Sequence, residues 1–361
     1  MALPLNQEIV TKYGVAVQPD TRKVIFEQLW PKRTAHSLVS FPITENDLGP
    51  FFGYYSRQCH AFLGQRGRFV AARTHQDLVN IISDFADNLD RQAIRASLAA
   101  RLQALDAAAA PSLKIDDEML DRAIDLAARL FLMIKIGTVP HSITPGVPLQ
   151  WTHGTIRQFT RQQFDVPAEL TCAGVKLPKL FNARNLQRIG GIKIKWTSDL
   201  SDHLRMVDDD ERVAIFAHPT FLMLHLTSGV FPDGFIDETI RTLKLLFPSS
   251  RPDLQRWMQS FPPDVDSKIA TCGSLRTELR HIERFKFWRD RIVILKEVFD
   301  EAEPRTLSQW WWDRRKRVQW YTFWLAMLVL VLGTLFGIIQ CTASVIQILR
   351  DSPTPAVFTL S

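Results

Sequence analysis

The chain has 361 residues, 46% hydrophobic and 23% charged. That composition excludes wholesale disorder and leaves room for two or three compact units. Net charge is +6, and Arg314, Arg315, Lys316 and Arg317 supply four of those charges, so the small remainder argues against a nucleic-acid surface.

In chain order, the N-terminal MALPLNQEIVTKYG has neither a basic n-region nor an apolar h-region, so no signal peptide is expected. Residues 1–43, punctuated by Pro4, Pro19, Pro31 and Pro42, read as a loosely packed arm with one strand near Val24–Phe26. Helices are predicted after the caps Thr44–Asp47, Thr74 and Asp90. In the first, Phe51, Phe52, Tyr55, Cys59 and Phe62 recur at steps of three and four; in the second, Leu78, Ile81, Ile82 and Phe85 do the same. Ala107–Ala110 before Pro111 reads as a linker or helix end.

From Asp116 a strongly amphipathic helix carries Leu120, Ile124, Leu126, Ala127 and Leu130, with acidic residues in its first turn and Gly137 past its end. Pro140–Pro148 is a loop, and short helices are predicted from Thr155 and over Asn182–Ile189. The period then changes to two: Ile192–Trp196 reads as a strand, and Leu204–Val207 with Arg212–Phe216 flank the turn Asp208–Glu211 as a hairpin. Three helices followed by a strand and a hairpin is the order of a winged-helix-like unit. Helix returns beyond Pro219, over Phe235–Phe247, over Asp253–Ser260, and in a long run from Lys268 to Glu301 with one apolar stripe.

The stretch Thr306–Leu349 stands apart. Trp320 to Ile339 has no charge and is long enough to span a bilayer, which needs about 20 residues at roughly 1.5 Å each. Trp310, Trp311, Trp312, Trp320, Tyr321 and Trp324 crowd its leading edge as an interfacial belt. The cluster Arg314, Arg315, Lys316 and Arg317 precedes it, and only Arg350 is basic beyond Leu349, so the N-terminal bulk is expected in the cytosol with a short tail across the membrane. A span so near the C-terminus implies post-translational, tail-anchored insertion. Gly333 and Gly337 have the spacing that lets two spanning helices approach closely, which makes a homo-oligomer an expected partner arrangement beside the lipid bilayer.

Candidate chemistry is sparse. The cysteines Cys59, Cys172, Cys272 and Cys341 form no C-x-x-C, which fits a reduced cytosolic domain without a zinc site or disulfide framework. Arg184, Arg188, Lys193 and Lys195 offer a modest basic face, but the wing tip Asp208–Glu211 repels phosphate, so nucleic acid is not the expected partner. That acidic run lacks calcium-loop spacing and reads as a solvated turn. Ser198, Asp199, Ser201, Asp202 and His203 lie close in sequence without a G-x-S-x-G elbow, and Asp199 or Asp202 reads as a helix cap. His218 and His225 lack the partners of a metal site. Gly190-Gly191 reads as a helix C-cap. No phosphate loop, dinucleotide fingerprint or kinase signature is present, so no cofactor, no metal and no catalytic residue is assigned.

The tail from Leu275 to Gln340, with its W-W-x-D-R-R-x-x-x-Q-W-Y-T-F-W motif over Trp310–Trp324, resembles a recurrent group of proteins from filamentous fungi that end at a membrane. Gly190–Phe216 is similar to the middle segment of the same group. The resemblance implies a fungal membrane-anchored protein and no particular activity. A more distant likeness is to CorA-type magnesium channels, in which a long cytosolic helix enters C-terminal spanning helices. Those have two spans joined by a Gly-Met-Asn loop; here Phe336–Gln340 follows without that loop or a second span.

The expected architecture is mainly α. It comprises a helical region over 1–112, a winged-helix-like α+β unit over 113–220, a helical region with a long helix over 221–304, a juxtamembrane and transmembrane helix over 305–350 and a short tail over 351–361. The expected function is a membrane-anchored cytosolic interaction or scaffold protein with an unidentified cytosolic partner and no enzyme activity. The alternatives are a divergent CorA-like channel or transporter subunit and a membrane-tethered DNA-binding regulator.

Overall fold

The structure, a computed structural model, describes residues 4–6, 9, 16–31, 43–63, 69–106, 115–139, 147–170, 174–250, 252–303, 306–313 and 317–351. The chain is mainly helical, with one small three-stranded sheet and one long apolar helix near the C-terminus. It divides into two compact units: residues 1–187 with 191–301, and residues 302–361 with 188–190. The regions 1–112, 113–220 and 221–304 therefore share the first unit up to residue 301, apart from 188–190.

Helix α1 (Pro19–Leu29) stands where an irregular arm with a strand was expected. Pro19 sits at the first helical turn, where its missing N–H costs nothing, Asp20 follows it, and Ile25, Phe26 and Leu29 are buried on one face. The apolar run Val24–Phe26 is thus part of a helical face, not a strand. The Ala107–Ala110 tract and residues 140–146 of the Pro140–Pro148 loop lie outside the described residues.

Helices α2 (Gly49–Leu63), α3 (His75–Ala86) and α4 (Arg91–Asp106) all pack against α5 (Asp117–Leu132). Each opens on a local signal. Thr74 and Asp77 form a capping box, with Thr74 N donating to Asp77 Oδ2 at 2.8 Å and Asp77 N to Thr74 Oγ1 at 3.2 Å. Asp116 accepts from Met119 N at 2.7 Å and caps α5. The inner faces meet through Phe51, Ile81, Phe85, Ile124 and Leu130, each no more than 1% exposed. Polar ties fix the pairing: Arg91 reaches Asp121 at 3.1 Å and Asp125 at 2.8 Å, and Arg95 reaches Asp121 at 2.7 Å.

Helix α5 ends at Leu132, four residues earlier than a Gly137 cap would require, because Met133 turns into the left-handed region at φ 52°. Gly137 serves a different need. It has φ 65°, and a Cβ there would lie 1.9 Å from Asp125 Oδ2, so the loop presses directly on the helix. Buried Arg129 holds this loop by donating to the carbonyls of Ile136 at 2.6 Å and Gly137 at 2.5 Å, with its guanidinium 4.8 Å from the Phe62 ring centre.

Helices α6 (Ile156–Phe164) and α7 (Ala183–Arg188) lead to the sheet. Past the end of α7, Gly191 takes up the left-handed region at φ 71° and Ile192 N bonds back to Leu186 O at 2.9 Å. Strands β1 (Lys193–Thr197), β2 (Met206–Val207) and β3 (Arg212–Phe216) lie in the order β1-β3-β2. β2 and β3 form the expected hairpin. β1 joins β3 in parallel, from Lys193 opposite Arg212 to Thr197 opposite Phe216. The hairpin tip is unusual: Asp208, Asp209 and Asp210 all have left-handed φ, between 51° and 62°. Aspartate tolerates that region better than most residues, which suits the run of acids to the turn.

The predicted helix from Lys268 to Glu301 is not continuous, and this is the largest departure. Three short 3-10 turns, Ser267–Thr271, Thr277–Leu279 and Ile282–Arg284, precede a helix of only Arg289–Glu301. Helix α8 (Pro219–His225), which the sequence reading passes over, and α9 (Phe235–Leu246) supply the reason. Glu238 of α9 is 1% exposed and accepts from the backbone N–H groups of Lys286, Phe287 and Trp288 at 2.7, 2.8 and 2.8 Å. Ile282 N bonds to Val175 O, and Leu177 N to Arg280 O. Groups that a helix would pair internally are spent on distant partners. Helices α10 (Pro252–Met258) and α11 (Arg289–Glu301) complete the first unit.

Candidate functional site

The second unit opens with α12 (Leu307–Trp312), set by a second capping box: Thr306 N donates to Gln309 Oε1 at 3.0 Å and Gln309 N to Thr306 Oγ1 at 3.2 Å. It ends at Asp313, and α13 (Arg317–Asp351) follows as one helix of 35 residues. The basic residues Arg314, Arg315 and Lys316, and the side chains of Arg317 and Trp310, lie outside what the structure describes. Trp311, Trp320, Tyr321 and Trp324 come together, whereas Trp312 lies under the Arg188 guanidinium at 3.7 Å. Trp311 and Trp324 meet edge to face at 5.0 Å, Trp320 and Tyr321 at 5.1 Å, and Trp320 Nε1 donates to Trp311 O at 3.4 Å. Trp311, Trp312 and Tyr321 remain 51%, 43% and 66% exposed. Such a collar has apolar faces and polar edges, which suits the headgroup level of a bilayer.

Trp320–Ile348, which includes the last aromatics of the collar, forms a 29-residue stretch long and apolar enough to cross a membrane, and none of its side chains is buried. It is apolar around its whole circumference, the opposite of α5, which has one apolar face. Its hydroxyls need no outside partner. Thr322 donates to Val318 O at 3.1 Å, Thr334 to Leu330 O at 2.8 Å, Thr342 to Ile339 O at 2.8 Å and Ser344 to Gln340 O at 2.9 Å. Back-bonding of this kind keeps polar atoms satisfied where there is no water. At Gly333 and Gly337 an added Cβ would meet nothing within 4 Å. With 3.6 residues per turn, Gly333, Gly337, Gln340, Ser344 and Gln347 fall within an arc of about 80°. One face of the span therefore collects its glycines and its carboxamides.

The first unit holds the clusters of polar side chains. Asp199 accepts from Ser201 N at 3.0 Å and Ser201 Oγ at 2.7 Å, and so caps the 3-10 turn Leu200–Asp202. His203 is fully used: Phe216 N donates to Nδ1 at 3.1 Å, which leaves Nε2 to donate to Thr242 Oγ1 at 2.7 Å. The sequence reading treats these residues as one local group, whereas the structure pairs Ser198 with His218, twenty residues away, at 2.9 Å from Oγ to Nε2. The two follow directly on the carboxyl ends of the parallel strands β1 and β3. Only the strand pairing reveals this, since each residue alone is unremarkable in the sequence.

A serine within hydrogen-bond reach of an imidazole has the spacing of a nucleophile and its base. Here His218 is 1% exposed, burial pushes its pKa down to about 3, and its Nδ1 has no partner. Among the described residues, no carboxylate bonds to the ring to orient it or to steady a positive charge. The tautomer with the proton on Nε2 avoids burying an unpaired N–H, and it makes Ser198 an acceptor. The pair is a buried polar contact, not an activated hydroxyl.

Other titratable groups follow the same rule. Burial lowers His75 to about 4 and His203 and His225 to about 3, and it raises the thiol of Cys272 to about 12. Burial also pushes the Glu238 carboxyl up, against the pull of its three backbone N–H donors. Asp208 and Glu211 at the hairpin tip pair with Arg212 at 3.2 Å and Lys193 at 3.9 Å, and Arg184 is bound to Asp253. Among the described residues, no group of three His, Cys, Asp or Glu side chains could hold a metal ion. A cavity of about 130 Å³ beside His225, Phe231, Asp233 and Gly234 is well below the roughly 300 Å³ at which small-molecule pockets begin. No protein-family model, no curated protein and no solved structure matches the chain.

Proposed function

We propose that this protein is a single-pass membrane protein whose 1–301 unit acts as a cytosolic interaction or scaffold module, without catalysis of its own. The observation that carries the proposal is the 29-residue apolar stretch Trp320–Ile348, which buries none of its side chains, in a chain whose first unit buries a core of its own. The basic cluster Arg314–Arg317 on the N-terminal flank of the span supports a cytosolic position for that unit. The resemblance of the tryptophan-rich tail to fungal membrane-anchored proteins points the same way. The Gly333 and Gly337 face, with Gln340 and Gln347 in line, supports self-association in the bilayer, because close backbones and interhelical carboxamide bonds are what lipid rewards. A pore needs polar lining through the whole span, and the hydroxyls of Thr322 and Thr334 turn back to their own helix.

The first test is alkaline carbonate extraction of membranes holding the full chain, followed by protease treatment of sealed vesicles. The protein is expected to stay with the bilayer and the 1–301 unit to be digested from the cytosolic side. Release into the supernatant would overturn the anchor, and protection of that unit would reverse the orientation. A Gly333→Leu/Gly337→Leu chain in mild detergent is expected to lose an oligomer that the natural chain forms. Two monomers would reduce the span to a tether.

A further inference from the structure

Granting the membrane-anchor reading, we propose that α13 is built for a thick, sterol- and sphingolipid-rich bilayer, such as a cell-surface membrane, and not for a thin one. Trp320, Tyr321 and Trp324 occupy the interface, so the hydrocarbon stretch starts at Leu325. It ends before Arg350 and Asp351, giving 24 of the 29 residues of the stretch, from Leu325 to Ile348. At about 1.5 Å per residue this stretch is roughly 36 Å long.

The sequence alone invites a shorter span ending at Ile339, where Gln340, Thr342 and Ser344 interrupt the apolar run. The structure removes that reason to stop. The helix continues unbroken to Asp351, and the hydroxyls of Thr342 and Ser344 are satisfied by carbonyls one turn back. Gln340 lies on the Gly333 and Gly337 face, where a neighbouring span can meet it. The side chains beyond it, Val345, Ile346 and Ile348, are 55%, 64% and 71% exposed and need lipid.

Thickness then separates the possible membranes. In a bilayer of about 27 Å, the thin endoplasmic-reticulum case, a stretch of roughly 36 Å must tilt by about 41°, beyond the usual range. In one of about 33 Å the same stretch tilts by about 24°, close to the average for spanning helices. An upright helix in the thin bilayer would leave Val345, Ile346 and Ile348 in water.

The test compares three full-length chains, each tagged at the N-terminus, in a eukaryotic cell. They are the natural sequence, a chain lacking Ala326–Leu332, and a chain with those seven residues replaced by seven leucines. The deletion removes two helical turns, about 10 Å, and keeps the Gly333 face in register with the collar. The natural and leucine chains are expected at the cell surface, and the deletion is expected to lose the surface fraction and stay in the endoplasmic reticulum. The proposal is overturned if the natural chain stays in the endoplasmic reticulum, if the deletion shares its location, or if the leucine chain moves with the deletion. Recovery of the natural chain outside the membrane fraction would instead defeat the anchor reading beneath it.

Discussion

The two units of this chain treat the same kind of side chain in opposite ways. In the first, Ile81, Phe85, Ile124 and Phe221 are sealed from solvent, and in the second, Leu325, Leu328, Val331 and Phe336 are 54% to 62% exposed. Polar groups diverge in parallel. The first unit satisfies them across long sequence distances, as Glu238 does with Lys286–Trp288 and Arg91 with Asp121 and Asp125. The second satisfies them within one turn, as Thr334 does with Leu330. The difference is the one that the proposed membrane reading requires. A chain in water hides apolar surface inside itself, whereas a helix in lipid has no reason to hide it and must close every hydrogen bond locally.

That contrast breaks most sharply at Glu238. Replacing it with alanine leaves three inward backbone N–H groups unpaired, an expected loss of about 3–5 kcal/mol from unfolding of the first unit. Denaturant titration of the full chain in detergent measures it, and an unchanged midpoint would mean the three bonds are dispensable. Next comes a matched pair of arginine substitutions. Val331→Arg, at the middle of the span, is expected to cost roughly 3 kcal/mol of insertion. Val147→Arg, at a 94% exposed site of the first unit, is expected to change neither insertion nor stability. Equal effects at both sites would erase the distinction between the two solvents.

Acid sharpens the comparison further. His203, His218 and His225 are held to about 3 and His75 to about 4, all below the ordinary value of 6.5, so they fold neutral. The unfolded chain binds their protons first as pH drops. Their stabilisation is complete above pH 6.5 and declines below it, by about 2 kcal/mol per buried ring at pH 5. The carboxyls of Asp125, Asp199, Glu238 and Asp266 are pushed up by burial and act in the opposite direction at lower pH. Circular dichroism at pH 7.5 and pH 5 should show the first unit losing stability while the span stays helical. Equal midpoints would contradict the neutral burial of the rings. The smallest effect belongs to the caps: Thr74→Ala is expected to cost the first unit about 1 kcal/mol, whereas Thr306→Ala leaves its unfolding unchanged.

Local signals carried a large part of the fold. Asp116 with the apolar steps of α5, the Thr74 capping box, the β2–β3 hairpin and the Gly191 end of α7 all stand where short-range patterns put them. Patterns failed where the deciding partner is far away in sequence. The apolar stripe over Lys268–Glu301 has helical spacing, but the N–H groups of Lys286, Phe287 and Trp288 are taken by a carboxylate about fifty residues upstream. Val24–Phe26 looked like a strand until the burial of Ile25, Phe26 and Leu29 made it the inner face of α1.

By itself, then, the sequence determined the helix long and apolar enough to cross a membrane, the aromatic residues at its start and the helical character of the rest. Those features depend on composition and on residues within one or two turns, where no distant partner intervenes. Tertiary structure alone decided the parallel joining of β1 to β3, the meeting of Ser198 with His218 and the breaking of the Lys268–Glu301 run. Each depends on a hydrogen bond between residues twenty or more apart, or on a strand partner that periodicity does not name.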